Sequence, residues 1–356
     1  LTLATVTAAF RAGAVVANHL RAVDLDLAPG RTSRVLLEGR GGEEAVSVAC
    51  RAVVNATGPW LDLIREMEDP GCEPVARLSK GVHVVLRPAD RWRAALAVSL
   101  DGDRHLYAVP CEGTVLLGTT DTEYPGDPCR VAPEPAEVSL LLDAASGFLT
   151  RETLRPESVI SAFAGLRVLP RGESASSSAP REHLVSVGTG GMVSVAGGKL
   201  TTHRQIALDA LRHLPTEVRP RRLRLSDEPL PGAYPTGPRG LAHHRLDPST
   251  GDHLLHLYGG EAENLLAYAV LFPNALERIT PEAPDVWAQV YHAISDEWAL
   301  TVQDIVHRRT TLGLRGLDTP LVRDQISSAL KATGPTPSTE LYTAASLQAR
   351  QAPRPA

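Results

Sequence analysis

The chain has little lysine. Only Lys80, Lys199 and Lys331 occur among its 356 residues, although lysine and arginine together number 36. Cysteine is scarce too: the four cysteines are scattered, with no C-x-x-C pair. This excludes a zinc ribbon or a paired redox motif and predicts reduced thiols. No run of about twenty apolar residues occurs, so no membrane-spanning helix is predicted.

The overall composition is that of a folded protein with mixed surface charge. Hydrophobic residues make up 43% of the chain, and the formal net charge is -5. A small negative charge with both signs interspersed argues against nucleic acid as the partner. The length favours two domains, one of which is divided in the sequence. We expect a cytoplasmic protein, with peripheral contact at the inner face of the cell membrane left open.

The most informative segment combines two glycines with one of the rare lysines. An apolar strand over 192–196 leads into Gly197, Gly198 and Lys199, and a helix follows, with Thr201 or Thr202 as its cap. Paired glycines allow a sharp turn, and the N-terminus of a helix favours negative charge. The segment suits an electron-rich atom, such as a phosphate oxygen or the N1/C2=O edge of a reduced flavin. A solvated loop before a helix is the alternative.

The remaining pattern changes from strand-rich to helical along the chain. Short apolar runs separated by Pro, Gly and Asp predict an antiparallel sheet over residues 82–118, after a helix over 1–13 and a strand over 15–19. A helix over 136–148 and a strand over 158–169 follow. Beyond a Pro- and Arg-rich linker the pattern is helical, including one helix over 297–312. The Pro/Ala/Ser-rich tail is predicted to be disordered.

Six segments, in this order, resemble the family of FAD-dependent glycerol-3-phosphate dehydrogenases. They are VVNATGPW (53–60), LSKGVHVV (78–85), LGTTDTEY (117–124), AGLRVL (164–169), SVAGGKLTT (194–202), and EWAL (297–300) with RRT (308–310). The resemblance extends over about residues 1–315. It implies a flavoenzyme that oxidises sn-glycerol 3-phosphate to dihydroxyacetone phosphate by hydride transfer to flavin N5, with quinone as the electron acceptor.

The chain departs from the family pattern in one large respect. The family begins with a strand, a G-x-G-x-x-G turn and a helix that hold the FAD diphosphate, and these residues contain no such motif. We therefore expect the chain on its own to bind FAD poorly. Smaller departures are Val168, where the family usually has proline, and His203, where tyrosine is common.

The resemblance and the chemistry together give candidate site residues. His83 is the candidate base for the hydroxyl proton, because imidazole titrates near neutral pH. On its own, a lone strand histidine is more often structural, and His183 is a weaker rival. Arg167 and Arg181 are the candidate anchors for the substrate phosphate. Lys199 is placed at the flavin pyrimidine edge and the substrate oxygen, where positive charge favours the anionic reduced flavin.

Two turns are the candidate cofactor-binding segments. Their residues are Asn55, Ala56, Thr57, Gly58, Gly197, Gly198, Lys199, Leu200 and Thr201. The first turn ends a strand where such folds bring backbone against FAD, although a plain βα turn is the alternative. The 119–121 segment has a supporting role. Asp121 and Glu123 suggest a paired-carboxylate hydrolase, but no second acid pair or nucleophile elbow supports one.

The predicted fold class is α+β. We expect a two-domain flavoprotein of the glutathione-reductase-like, D-amino-acid-oxidase-like type, lacking its first βαβ unit and carrying a helical C-terminal domain. The predicted boundaries are 1–65 and 160–215 for the divided FAD-binding domain, 66–159 for the substrate sheet, 216–238 for a linker, 239–333 for the helical domain and 334–356 for the tail. A related flavin oxidase that uses oxygen, an amine oxidase of similar fold and a truncated non-catalytic module remain alternatives.

Overall fold

The computed structural model divides the chain into two compact units. It describes residues 1–27, 33–39, 45–89, 92–100, 105–171, 183–222, 228–233 and 246–333. The helical unit comprises Leu1–Leu20 and Asp227–Ala356, and the sheet unit comprises Arg21–Ser226. Every predicted site residue belongs to the sheet unit, although Arg181 lies outside the described residues.

Twelve strands are described, in three sheets. They are β1 Leu20–Asp26, β2 Ser33–Gly39, β3 Val46–Cys50, β4 Val54–Asn55, β5 Ala76–Leu86, β6 Leu96–Ser99, β7 His105–Cys111, β8 Thr114–Gly118, β9 Thr122–Glu123, β10 Val159–Pro170, β11 His183–Val187 and β12 Val193–Gly197. The first sheet has the order β1-β2-β3. The six-stranded sheet has the order β10-β5-β8-β7-β6, with β9 also paired to β5, and the third sheet has the order β11-β12-β4.

Nine α-helices are described. They are α1 Thr2–Arg11, α2 Leu61–Glu68, α3 Pro135–Ala145, α4 His203–Arg212, α5 Pro248–Tyr258, α6 Ala262–Leu266, α7 Trp287–Asp296, α8 Val302–Arg308 and α9 Pro320–Thr333. None of these helices has the length and apolar character needed to cross a bilayer.

The six-stranded sheet is antiparallel, as the sequence predicts, and one of its faces is covered by α3. Val82, Val84 and Leu86 alternate along β5 and pack into a buried cluster with Leu141 and Ala145 of α3. Each of these valine and leucine side chains contributes about 1.5–3 kcal/mol when fully buried. Because successive strand side chains point to opposite faces, the residues between them lie on the other face of the sheet. That second face, opposite α3, is called the site face below.

Lys80 ties β5 to the start of α3. Its Nζ lies 3.2 Å from Glu134 Oε1 and 2.9 Å from Glu137 Oε2, and its side chain is 6% exposed. Glu137 also accepts a hydrogen bond from the Glu134 backbone N–H, which closes the first turn of the helix. The lysine therefore joins a strand and a helix through one largely buried ion pair.

Replacing Lys80 with methionine should lower the free energy of unfolding by about 3 kcal/mol, because Glu137 then stays buried without its cation. Lys331, exposed on α9, is the matched control, and Lys331→Met should change stability by less than about 0.5 kcal/mol. Urea unfolding followed by circular dichroism measures both variants. A Lys80→Met variant as stable as the parent chain would contradict this structural role.

The predicted strand over 15–19 is wrong. Residues 14–18 have no regular secondary structure, and β1 begins only at Leu20. The polar side chains of this segment form hydrogen bonds with other parts of the helical unit. Asn18 Nδ2 donates to the Trp298 carbonyl, and His19 Nε2 lies 3.0 Å from Asp304 Oδ2. His19 also has φ +55°, which no extended strand adopts.

The predicted helix over 297–312 is also wrong in its bounds. The helix α8 covers Val302–Arg308 only, and Trp298 has φ +55°. A capping box defines its start: Thr301 Oγ1 accepts from the Asp304 N–H, and the Asp304 carboxylate accepts from the Thr301 N–H. The apolar spacing that suggests a longer helix comes from side chains on either side of this cap.

The compact units group the residues differently from the predicted domain boundaries. Strand β10 completes the six-stranded sheet, whereas the predicted boundary at 160 assigns most of it to the FAD-binding domain. Residues 1–20 group with the helical unit. The functional boundaries stay a prediction.

Candidate active site

The pairing of β10 with β5 brings the candidate base and one candidate anchor onto the site face. The cross-strand pairs are His83–Phe163, Gly81–Gly165 and Ser79–Arg167. Since residues two apart on a strand share a face, all six lie opposite the buried valines that pack on α3. The two paired glycines leave a gap in the side-chain layer between the His83 pair and the Arg167 pair.

Arg167 is held by the segment that follows β8. Its Nη2 donates to Thr119 Oγ1 at 2.9 Å, and its Nη1 donates to the Thr120 carbonyl at 3.3 Å. Nη1 also lies 3.4 Å from Ser79 Oγ and 3.8 Å from Asp121 Oδ1, and Ser79 Oγ donates to that same carboxylate. The side chain remains 30% exposed. A guanidinium fixed in orientation and partly open to solvent is suited to binding a phosphate through two parallel hydrogen bonds.

Gly81 makes room for this guanidinium. An ideal Cβ built at Gly81 would lie 2.6 Å from Arg167 Nη2 and 2.6 Å from Thr119 Oγ1. Its cross-strand partner Gly165 differs, since a Cβ there meets no atom within 4 Å. A side chain at Gly81 would therefore displace the guanidinium or the Thr119 hydroxyl, whereas one at Gly165 would displace neither.

Gly81→Ala should weaken anion binding by about tenfold, because the added methyl group displaces the guanidinium from Thr119; this corresponds to about 1.4 kcal/mol. Gly165→Ala is the matched control on the paired strand and should bind as the parent chain does. Calorimetric titration with inorganic phosphate measures both. Equal affinities for the two variants would show that the guanidinium position does not matter.

The His83 ring lies between its two neighbouring strands. It stacks on Phe163 with ring centroids 5.3 Å apart and an interplanar angle of 9°. On the other side, an ideal Cβ at Gly118 would lie 2.4 Å from His83 Cδ2, so the ring occupies the space that the glycine leaves. Burial lowers the pKa of His83, and the positive charge of Arg167 lowers it further. The imidazole is therefore neutral at neutral pH and can accept a proton.

The two candidate cofactor turns lie at the same edge of the third sheet. Strands β4 and β12 are parallel, with Asn55 paired to Ser194, so their carboxyl ends point the same way. Ligands of α/β sheets bind at the carboxyl ends of parallel strands. Strand β10, which carries Arg167, contacts both β12 and the Gly58–Trp60 turn. The fold thus joins the two turns to the strand that carries the anion-binding candidate.

Asn55 organises the first turn from inside the protein. Its buried amide Nδ2 donates to the Leu61 carbonyl at 3.0 Å, and its Oδ1 accepts from Thr57 Oγ1 at 2.7 Å. Gly58 has φ +60°, a conformation that favours glycine. Ala56 and Thr57 are exposed at the tip of the turn, where backbone groups can reach a ligand.

The second turn has the predicted strand–turn–helix form. Gly197 and Gly198 have φ +73° and +90°, and an ideal Cβ at Gly198 would lie 2.4 Å from Ile206 Cδ1 of α4. Lys199 is extended and exposed, and Leu200–Thr202 forms a short 3-10 helix leading into α4. Thr202 is the N-cap residue of α4, as predicted, but its Oγ1 donates to the Lys199 carbonyl and makes no side-chain capping hydrogen bond.

The described site residues that the sequence predicts therefore lie at two places in the sheet unit. His83 and Arg167 share the site face, while Lys199 and the other turn residues lie at the edge of the third sheet. Arg181 lies outside the described residues. The rival histidine, His183, is paired with Asp209 of α4, with 2.7 Å between Nε2 and Oδ2, so it links strand β11 to a helix.

Sequence reasoning missed four contributors to the site: Ser79, Gly81, Gly118 and Phe163. Three of them lie within the family-like segments 78–85 and 117–124, but each acts through a residue on a neighbouring strand. Once the register is known, the two-residue period places all four beside His83 or Arg167. The sequence carries no signal for that register.

A separate cleft of about 760 Å³ lies in the helical unit. Among the described residues, its lining includes parts of α1, α5 and α7 together with Glu297 and Arg309, and none of the predicted site residues. Burial raises the pKa of the Glu297 carboxyl. Arg309 Nε lies 3.6 Å from Glu297 Oε2 and donates to the Glu297 carbonyl, so this charge pair is internal to the unit.

Comparison with known proteins supports the resemblance seen in the motifs. Residues 1–204 match the family described as "FAD dependent oxidoreductase", and residues 226–325 match "C-terminal domain of alpha-glycerophosphate oxidase". A glycerol-3-phosphate dehydrogenase of Synechocystis sp. is 32% identical over 340 residues, which cover 88% of this chain and 61% of the relative. Glycerol-3-phosphate dehydrogenase 2 of Mycobacterium tuberculosis is 31% identical over 320 residues, covering 86% and 54%. The chain thus spans little more than half the length of these relatives.

A solved structure agrees with the predicted fold class. The crystal structure of glycerol-3-phosphate dehydrogenase from Bacillus halodurans, complexed with FAD, has a TM-score of 0.75 and 25% identity. The similarity covers 98% of this chain and 71% of that one. The prediction of a D-amino-acid-oxidase-like flavoprotein fold with a helical C-terminal domain is confirmed, and so is the resemblance to glycerol-3-phosphate dehydrogenases. The chain belongs to the FAD dependent oxidoreductase family.

Proposed function

We propose that this chain supplies the substrate-binding and proton-accepting part of an FAD-dependent glycerol-3-phosphate dehydrogenase. The reaction converts sn-glycerol 3-phosphate to dihydroxyacetone phosphate, and quinone is the proposed electron acceptor, reached by peripheral contact with the membrane. The observation that carries the proposal is the placement of a partly buried imidazole and an oriented guanidinium on one face of one sheet.

Arg167 binds the substrate phosphate in this proposal. Its guanidinium is held by Thr119 and the Thr120 carbonyl, so little side-chain freedom is lost when an anion binds. Arg181 is proposed as the second phosphate ligand on the basis of its motif position. Two cationic anchors suit a phosphate dianion better than the single carboxylate of an amino acid, which favours this substrate over that of an amine oxidase.

His83 takes the hydroxyl proton in the same proposal. Oxidation of a secondary alcohol removes a proton from the hydroxyl oxygen and a hydride from the carbon that bears the hydroxyl. The side chain that accepts the proton must therefore be unprotonated before the reaction. Burial between Phe163 and Gly118 keeps the imidazole neutral. When the proton is transferred, Arg167 disfavours the resulting cation, which promotes release of the proton in the next step.

The two turns are the proposed residues for holding FAD. Both expose backbone at the carboxyl ends of adjacent parallel strands, and the first N–H groups of a helix have no partner within it. These features fit an electron-rich ligand edge. FAD, when bound, supplies the hydride acceptor at flavin N5. Lys199 adds positive charge at that edge, where it stabilises negative charge on the bound group.

The proposal is tested with an FAD-loaded hybrid in which the first βαβ unit of a glycerol-3-phosphate dehydrogenase relative precedes this chain. Reduction of a quinone analogue should require glycerol 3-phosphate and be far slower with glycerol. His83→Gln should lower kcat about 10²- to 10⁴-fold, and His183→Gln, the matched control, should retain activity. Equal rates with glycerol, or a fully active His83→Gln hybrid, would refute the assignment.

The pH profile gives an independent check on the base. The pKa of His83 is depressed, so its neutral, proton-accepting form already dominates below the ordinary histidine value of about 6.5. We therefore expect kcat/KM of the hybrid to rise with pH and to reach its plateau with a midpoint below about 6.5. A midpoint above that value would contradict a desolvated imidazole as the base.

A further inference from the structure

The two faces of the His83 imidazole are covered by different kinds of neighbour. Strand β8 presents Gly118, whose missing side chain leaves the space that the ring fills. Strand β10 presents Phe163, whose ring is nearly parallel to the imidazole at 9° and 5.3 Å between centroids. Both neighbours are fixed by backbone pairing, since His83 pairs with Phe163 on one side and with Gly118 on the other.

Phe163 is not part of the packed core. Its side chain lies on the site face and is 46% exposed, whereas its sequence neighbours Ala162 and Ala164 pack against the buried cluster under α3. A half-exposed phenylalanine contributes less to folding than a buried one, because much of its surface still contacts water. Its main described side-chain partner is the His83 ring, so we relate the function of Phe163 to this histidine.

We propose that Phe163 is a positioning residue: its ring fixes the plane of the His83 imidazole against the β8 backbone and shields one face of it from water. This rests on the proposed function only in that His83 is the base. A flat aromatic ring stacked on an imidazole restricts rotation about the terminal side-chain torsion, which is otherwise broad. Proton transfer depends on the direction of a ring nitrogen, and a fixed plane gives that nitrogen one direction.

The charged groups near His83 determine how the loss of Phe163 should change the pKa of His83. Among the described residues, the charged and titratable groups on the site face include Arg77 of β5, Arg167 of β10, Asp121 after β8, Glu123 of β9, and His105 and Tyr107 of β7. The acidic side chains at the start of α3 lie on the opposite face with Lys80. Of these charges, Arg167 acts on the imidazole, and its effect comes second to burial. Removing Phe163 leaves Arg167 in place and reduces the burial, so the pKa of His83 should rise.

The experiment is an NMR titration of the histidine Cε1–H signals in the chain as it stands, without flavin or substrate. His83→Gln identifies the His83 signal. In Phe163→Ala its pKa should rise towards the value of an unperturbed histidine, and the upfield ring-current shift of the signal should disappear at every pH. Phe163→Tyr keeps the ring and should leave both properties unchanged. Phe163→Leu keeps apolar volume without a flat ring, so it should lose the ring-current shift.

The outcomes separate positioning from simple packing. The signal of His183, whose ring is paired with Asp209 on another sheet and helix, should have the same chemical shift in all variants at a given pH and serves as the internal control. If Phe163→Ala does not fold, the leucine and tyrosine variants still decide the question. A His83 signal with the same pKa and chemical shift in all folded variants would overturn the proposal, as would a tyrosine variant that behaves like the leucine variant. The NMR titration measures no turnover. Its result therefore does not depend on whether the activity test of the proposed function succeeds.

Discussion

Replacing Arg167 with glutamine in the FAD-loaded hybrid should raise the KM for glycerol 3-phosphate about 30- to 150-fold. The variant loses a charge-assisted pair of hydrogen bonds to the phosphate, worth about 2–3 kcal/mol. Glutamine retains hydrogen-bonding capacity near Thr119, so the fold of the 119–121 segment is preserved. Steady-state kinetics with glycerol 3-phosphate measures the effect.

The controls for this variant follow from the contacts of Arg167. Arg167→Lys keeps the charge but not the planar pair of donors, and it should recover only part of the loss. Arg21→Gln, on an exposed strand position paired with Glu38, should leave KM unchanged. With glycerol, which has no phosphate, the parent hybrid and Arg167→Gln should have similar KM values. A KM for glycerol 3-phosphate unaffected by Arg167→Gln would exclude this residue as the phosphate ligand.

Much of the fold can be predicted from local patterns in the sequence. The antiparallel run between residues 82 and 118, the helix α3 and the Gly197–Gly198 turn each follow from alternation, turn residues or paired glycines. The start of α8 could not be predicted as easily. Its bounds depend on a cap between Thr301 and Asp304, and the apolar spacing continues past that cap on both sides.

The candidate site is less accessible to sequence reasoning because it forms across strands. His83 and Arg167 are separated by 84 positions in the chain, and the pairing of β5 with β10 places them on one face. A shift of that register by one residue would send Arg167 towards α3 instead. The close approach of the Arg167 guanidinium to Gly81 likewise cannot be predicted from the sequence, because it forms between two strands. The resemblance of the motifs suggests the roles of His83 and Arg167. Which side chains lie beside them is known only from the pairing of the strands.

We expect these 356 residues, purified on their own, to be colourless and to bind FAD weakly. In dinucleotide-binding folds the diphosphate lies on a glycine-rich first βα turn, and no G-x-G-x-x-G motif occurs in this sequence. Each missing charge-assisted hydrogen bond costs about 1.5–3 kcal/mol, so the loss of three weakens binding by at least about 10³-fold. Absorbance of the purified chain in the visible flavin bands and isothermal titration with FAD provide the measurement.

The hybrid with the relative's first βαβ unit is the control for this prediction, since the same titration should then give tight binding and a yellow protein. The two turns in this chain, 55–58 and 197–201, can contact only part of the cofactor, because both lie at one edge of one small sheet. If the chain alone binds FAD weakly and this binding disappears in Asn55→Ala, the bound FAD contacts the first turn, because the shape of that turn depends on the buried Asn55 amide. Submicromolar binding by the chain alone would instead mean that the diphosphate is held by backbone other than a G-x-G-x-x-G turn.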